Sequence, residues 1–168
     1  MNHYFSTFST PFGLFSIAVD EPGAVIATAF GGQEELPRRA DVHNLVEDKA
    51  AARAAKDQVL AYCAGERREF TLPLAPAGTP FQKEVWAALQ CIPFGATRTY
   101  GQIAAGLGRP AASRAVGRAN ATNPICLIVP CHRVIGANGA LTGFAFGEAR
   151  KQQLLEHERA IVTRSRAA

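Results

Sequence analysis

Short apolar runs punctuated by turn residues open the chain. Residues 4–8, 14–19 and 25–30 are rich in aromatic and β-branched side chains, and Thr10-Pro11-Phe12-Gly13 and Glu21-Pro22-Gly23 separate them. That pattern predicts three strands of a meander. From 46 to 64 the residues are mostly Ala, Lys, Arg, Gln and Leu, closed by Gly65, which predicts a helix. Residues 68–74 read as a returning strand, and Ala75-Pro76-Ala77-Gly78 as a domain boundary.

Beyond that boundary the period changes to helical. Thr79-Pro80-Phe81-Gln82 combines a capping threonine, a proline at the first helical position and a glutamine that completes a capping box. The helix is expected to run to about Cys91, burying Phe81, Val85, Trp86 and Leu89. Residues 100–107 and 111–121 predict two short helices joined at Gly108-Arg109-Pro110, a helix-turn-helix arrangement. The second is small-sided, with Ala111, Ala112, Ala115, Gly117 and Ala119, which suits close approach to a DNA groove or to another helix. Residues 126–129 read as a strand ending at Pro130, and a last helix is expected over about 148–158, with a polar, frayed tail over 163–168.

Charge adds one feature to this outline. The chain of 168 residues carries a formal net charge of +4. Residues 1–79 hold ten acidic and seven basic side chains, and residues 80–168 hold four acidic and eleven basic. A basic second half suits a polyanionic partner and equally a plain solvated surface, and charge alone does not choose between them. No apolar run is long enough for a membrane span and the start lacks a signal-peptide pattern, so a cytoplasmic location is expected. Four cysteines, Cys63, Cys91, Cys126 and Cys131, form no C-x-x-C pair and should be reduced thiols.

The densest chemistry is Pro130-Cys131-His132-Arg133. A neighbouring histidine or cation can lower a thiol pKa from about 8.5 into roughly 3.5–7.5. In extended backbone, however, successive side chains point to opposite faces, so His132 should reach Cys131 through a water rather than directly. The histidine then needs an orienting group, and Glu158 is one of several candidate acids.

Pro130-Cys131-His132-Arg133-Val134 resembles the active-site signature of the O6-alkylguanine-DNA alkyltransferases. So do Gly78-Thr79-Pro80-Phe81-Gln82, Ile92-Pro93-Phe94-Gly95, Tyr100-Gly101-Gln102, Ser113-Arg114-Ala115-Val116-Gly117, Asn123-Pro124, Arg133-Val134-Ile135-Gly136 and Arg150-Lys151 through Leu154-Leu155, all in the family's order. The resemblance covers about residues 78–160. It implies an α+β fold: a small β-rich, ribonuclease H-like N-terminal domain with a long helix (1–75), then a mostly helical winged helix-turn-helix domain (79–162).

It also implies a function. The partner is duplex DNA entered through the minor groove by Ala112, Ser113, Ala115, Gly117 and Arg118, with Arg114 as the finger that replaces a flipped-out base and Tyr100 helping to turn the nucleotide. Cys131 takes the alkyl group of O6-alkylguanine, and of O4-methylthymine, once and irreversibly. His132 and Glu158 serve as water-linked base and orienter, Tyr100 and Lys151 assist the leaving guanine, and Asn123 is a hinge. Pro130, Val134, Gly143, Phe144, Ala145 and Phe146 form the base pocket, with the main chain of Val134 and Ala145 reading the guanine edge. No cofactor or metal is needed, and a monomer suffices.

Phe144-Ala145-Phe146-Gly147 departs from the Tyr-Ser/Ala-Gly-Gly common among relatives, and Phe146 is expected to narrow the mouth for bulky O6 groups. No cysteine precedes Cys63, so the N-terminal zinc site of some relatives is not expected. Two other functions compete. A cysteine hydrolase needs a histidine brought beside the thiol from elsewhere in the chain. A damage-recognition module without chemistry would be favoured by Trp or Ala at position 131, and this chain has Cys131 there.

Overall fold

The computed structural model describes residues 1–167, and they group into two compact units, 1–77 with 124–128 and 78–123 with 129–167. The fold is α+β, a sheet-based N-terminal unit and a helical winged helix-turn-helix unit.

In the first unit, β1 (His3–Thr10), β2 (Gly13–Val19), β3 (Val25–Phe30) and β4 (Leu45–Glu47) form one sheet in the order β3-β2-β1-β4. The three meander strands are antiparallel, and β4 adds to β1 in parallel. Gly13, at φ +109°, supplies the left-handed backbone that the β1–β2 turn requires. Phe15, Ile17, Val25 and Ala27 are buried, as are Val59 and Tyr62 of α1 (Arg53–Cys63). Phe15 meets Phe30 edge-on at 5.0 Å.

Three expectations fail here for local reasons. The helix expected from 46 begins only at Arg53, because Asp48 Oδ1 accepts from the Ala50 and Ala51 N–H groups and closes a turn that competes with helix. Residues 68–74 form no strand beyond a single bridge from Leu74 to Val25, where Pro73 has no N–H to donate to a ladder. Residues 126–129 are not a strand either. Leu127 sits at φ +72°, the Ile128 N–H turns back to Cys126 O at 2.9 Å, and Thr28 donates through its N–H to Pro124 O and through its hydroxyl to Cys126 O.

In the second unit, α2 (Pro80–Gln90) and α3 (Tyr100–Gly106) each begin with a complete capping box, Thr79 with Gln82 and Thr99 with Gln102. A 3-10 turn, Pro110–Ala112, leads into α4 (Ser113–Ala121). The wing is a parallel pair, β5 (Arg98–Thr99) beside β6 (Val134–Ile135). The last helix, α5, runs Glu148–Ala167. The tail expected to fray over 163–168 is therefore helical through Ala167, with Ala168 outside the described residues. Buried Ile161 anchors this continuation, and Arg164 and Arg166 sit in the last turn, where basic groups suit the helix dipole. Among the described residues no helix is long and apolar enough to cross a membrane.

Trp86 ties α2 to α4. Its indole N–H donates to the Ala119 carbonyl at 2.8 Å in a buried position. Trp86→Phe keeps most of the apolar volume but removes that bond, leaving the carbonyl the Thr122 hydroxyl at 3.2 Å. Urea denaturation followed by circular dichroism should show a loss of about 0.5–1.5 kcal/mol.

Candidate active site

Pro130 stops the backbone before a 3-10 turn, Cys131–Arg133, rather than the extended segment expected from the sequence. All three residues of the turn are buried, and Cys131 is 5% exposed. The turn sends His132 and Arg133 to one carboxylate. His132 Nε2 lies 2.7 Å from Glu158 Oε2, Arg133 Nε donates to Oε1 at 2.9 Å, and Arg133 Nη2 donates to Oε2 at 3.1 Å. The Gly95 N–H adds a bond to Oε1 at 3.0 Å.

Glu158 is interior to α5, not at its end as the shorter helix would have placed it. The Ile92-Pro93-Phe94-Gly95 motif serves this cluster. Ile92 O accepts from Arg133 Nη1 at 2.8 Å, and the guanidinium lies 5.6 Å from the Phe94 ring centroid. Gly95, at φ +82°, brings its N–H to the carboxylate where a Cβ would stand 2.7 Å from Val162 Cγ2.

The charges follow from this geometry. Burial pushes the Glu158 carboxyl up, but the hydrogen bonds and charges of His132 and Arg133 outweigh it and hold the group well below the usual carboxylate range. Burial holds the His132 imidazole below its ordinary value despite Glu158, so the ring is neutral and Arg133 supplies the lasting counter-charge. With Glu158 ionised, the Nε2–H donates to it and Nδ1 keeps its lone pair. Nδ1 is buried and has no hydrogen-bond partner among the described residues.

A second cluster joins the wing loop to the helices. Tyr100, the first residue of α3, donates from its hydroxyl to the Thr142 carbonyl at 2.7 Å, and Lys151 Nζ donates to the same oxygen at 2.9 Å. A Cβ on Gly143 would stand 2.5 Å from the Tyr100 hydroxyl, so this approach needs glycine, here at φ +79°. Burial pushes Lys151 down to about 8, opposed by the charges of Cys131 and Glu148. Burial raises the Tyr100 phenol, and the Cys131 charge raises it further. Both groups thus sense the sulfur electrostatically.

Comparisons with known proteins show the family of the chain. Residues 80–160 match the family model for the 6-O-methylguanine DNA methyltransferase DNA binding domain, and residues 3–76 match its ribonuclease-like domain. A methylated-DNA–protein-cysteine methyltransferase of Methanosarcina acetivorans is 50% identical over 92% of this chain and 97% of its own length. The chain belongs to the 6-O-methylguanine DNA methyltransferase family. The constitutive methylated-DNA–protein-cysteine methyltransferase of Bacillus subtilis is 45% identical over 94% of this chain and 96% of its own. A crystal structure of the Mycobacterium tuberculosis O6-methylguanine methyltransferase superposes with a TM-score of 0.85 at 44% identity, covering 94% of this chain and 93% of that one. The M. tuberculosis OGT in complex with DNA gives 0.85 at 42% identity, covering 94% of each chain.

The remaining expected residues of this methyltransferase fall around the two clusters. Val134 is buried and pairs with Arg98 in the wing. Phe144 is buried and meets the half-buried Phe146 edge-on at 5.7 Å, while Ala145 between them is exposed. On α4, Arg114 and Arg118 are exposed and Ser113, Ala115 and Gly117 are half-buried. Ala112 closes the preceding turn. Ala119 is buried against the unit's own core, so it does not belong to the surface stripe expected from its size. A cleft of about 400 Å³ is lined by Thr99, Tyr100, Gly101, Ser113, Arg114, Gly117 and Ala137. Asn123 donates from Nδ2 to Val129 O at 2.9 Å, just before the Cys131–Arg133 turn.

Sequence reasoning missed Arg133 as the partner of Glu158. Its signal was an arginine within the signature itself, two residues from the thiol. It also missed Asn120, buried on α4, which donates from Nδ2 to the Cys131 carbonyl at 3.3 Å. Nothing in periodicity separates Asn120 from a surface asparagine.

Glu158→Gln leaves the Arg133 guanidinium buried without its counter-charge, which should cost roughly 3–5 kcal/mol near neutral pH by urea denaturation. The sign with pH follows from the depressed carboxyl. The wild-type advantage is complete above the ordinary value of 4.5 and is lost as pH falls below it toward the folded value. The stabilities of the two proteins should therefore converge in acid, and a constant difference down to pH 2 would contradict the assignment.

Proposed function

We propose that this chain reverses alkylation damage in duplex DNA by moving the O6 substituent of guanine, and the O4-methyl of thymine, onto Cys131 in a single turnover. The reading rests above all on the buried Cys131–His132–Arg133 turn held by Glu158. Family membership and the DNA complex of the similar M. tuberculosis protein support DNA as the partner. The small-sided, arginine-bearing start of α4 suits insertion into the minor groove by a monomer. Arg114, exposed beside the cleft, is suited to fill the space of a base turned out of the stack.

The chemistry then follows from the two clusters. The thiol proton leaves through a water to His132 Nδ1, the nitrogen with the free lone pair. The imidazolium formed is stabilised by Glu158 at 2.7 Å from Nε2. The Cys131 thiolate attacks the alkyl carbon in line. The new S–C bond takes the sulfur's electron pair, and the breaking C–O6 bond leaves its pair on guanine. The guanine anion takes a proton from Lys151, with Tyr100 donating beside it. For this the two donors give up the Thr142 carbonyl they share in the free protein. The thioether has no route back to a thiol, so the protein acts once. Val134 and Ala145 offer main-chain groups to the base, and Asn123 acts as the hinge before the reactive turn.

Mixing the protein with a duplex that carries one O6-methylguanine should add a single methyl to the intact mass, mapped to Cys131 and absent from Cys131→Ser. Tight binding of the damaged duplex without mass gain would instead mean recognition without chemistry.

Lys151 gives a pH test. A proton donor with a pKa of about 8 is progressively lost above that pH. Single-turnover transfer should fall on the alkaline side with a midpoint near that value. Lys151→Met should be slower throughout and should lack this limb. An identical alkaline fall in Lys151→Met would assign the limb elsewhere.

A further inference from the structure

Asn120 lies in the last turn of α4, one residue before its end at Ala121, 2% exposed, on the face shared with Val116. Its amide is half used. Nδ2 donates to the carbonyl of Cys131 at 3.3 Å, while Oδ1 is buried and has no hydrogen-bond partner among the described residues. An orphaned buried acceptor costs free energy, and an apolar side chain of similar volume would avoid that cost. Core packing therefore does not account for an asparagine here.

The bond it does make goes to the peptide of the nucleophile. Three residues along the same helix end, Asn123 donates to Val129 O, so two amides suspend the segment Val129-Pro130-Cys131 from the C-terminal end of α4. That end is itself fixed. Trp86 holds Ala119 O, and Gln82 Nε2 reaches the Thr122 hydroxyl at 3.2 Å. The amide of Arg133 bonds to Pro130 O and that of Val134 to Cys131 O, which closes the turn, and Asn120 adds the side-chain bond that ties the Cys131 carbonyl to α4. The orientation of that plane constrains the Cα–Cβ bond from which the sulfur projects, and in-line displacement is steeply sensitive to where the sulfur stands.

We infer that Asn120 is a positioning residue for alkyl transfer: by holding the Cys131 carbonyl it aims the sulfur, at the expense of a buried unsatisfied oxygen. The inference rests on the proposed transfer to Cys131. Stability and activity should then move apart at this position.

The test compares wild type with Asn120→Leu and Asn120→Asp. Leu removes both the donor and the orphaned acceptor, and Asp keeps the shape but cannot donate when ionised. In single-turnover assays with saturating O6-methylguanine duplex, both variants should transfer about tenfold more slowly. Their affinity for an undamaged duplex should be unchanged. Asn120→Leu should melt at or above the wild-type temperature. The Cys131 carbonyl carbon, read through the His132 amide in a triple-resonance NMR spectrum, should shift upfield as its acceptor bond is lost.

An unchanged transfer rate would overturn the inference. So would a fall in rate that saturating DNA restores, since that would mark Asn120 as a DNA-seating residue only. Rate and melting temperature falling together in Asn120→Leu, with the carbonyl resonance unmoved, would reduce it to packing. If wild type itself accepts no methyl, the proposed function fails first, and the carbonyl shift still tells whether the bond exists.

Discussion

One buried carboxylate organises the turn that carries Cys131. Glu158 gathers the imidazole of His132, the guanidinium of Arg133 and the backbone N–H of Gly95, and the last two bring the loop 92–95 and the 3-10 turn into register with α5. A carboxylate removed from water is tolerated only when paired and hydrogen-bonded. Every element that touches it is therefore held to within hydrogen-bond tolerance. The same charge fixes the histidine's tautomer and leaves its other nitrogen available. Structural order and chemical readiness here come from one group.

The wing loop is ordered by a different device. Two donors, Tyr100 and Lys151, share one carbonyl, Thr142 O, and a glycine beside it allows the phenol to come close. Burial costs Lys151 part of its basicity, so the ammonium keeps its proton less firmly than on a surface. A group in that condition is a better acid, and it is held a single hydrogen-bond exchange away from release.

The legibility of all this in the sequence was uneven, for physical reasons. Capping boxes at Thr79 and Thr99 are local, three-residue interactions, and so the starts of α2 and α3 can be read directly. The meander was equally local. Where tertiary partners decide, reading fails. Asp48 turns the chain where composition favours helix, Leu127 adopts a left-handed backbone inside an apolar run, and α5 continues because Ile161 finds a core. Cys131, His132, Tyr100 and Lys151 were reachable because they lie within the motifs of the resemblance, whereas Glu158 was one of several candidate acids that only the resemblance singled out. The extended backbone assumed around Cys131 was wrong, although it led to the same absence of a direct thiol–imidazole bond in the expected mechanism. Arg133 and Asn120 were not reachable, because their importance lies in what burial places opposite them.

The four thiols also differ in a way that bears on how such a protein survives. Cys91 is exposed, Cys63 is half-buried with its pKa pushed up to about 11 by burial, and Cys126 and Cys131 are buried. The sulfur most open to small electrophiles in solution is thus far from the reactive turn in sequence and takes no part in the proposed chemistry. Under the proposed single-turnover transfer, a reagent that can be spent only once gains from being hard to reach. In that proposed role, concealment of Cys131 is a filter on what can consume it, so that selectivity begins with access, before any base is recognised.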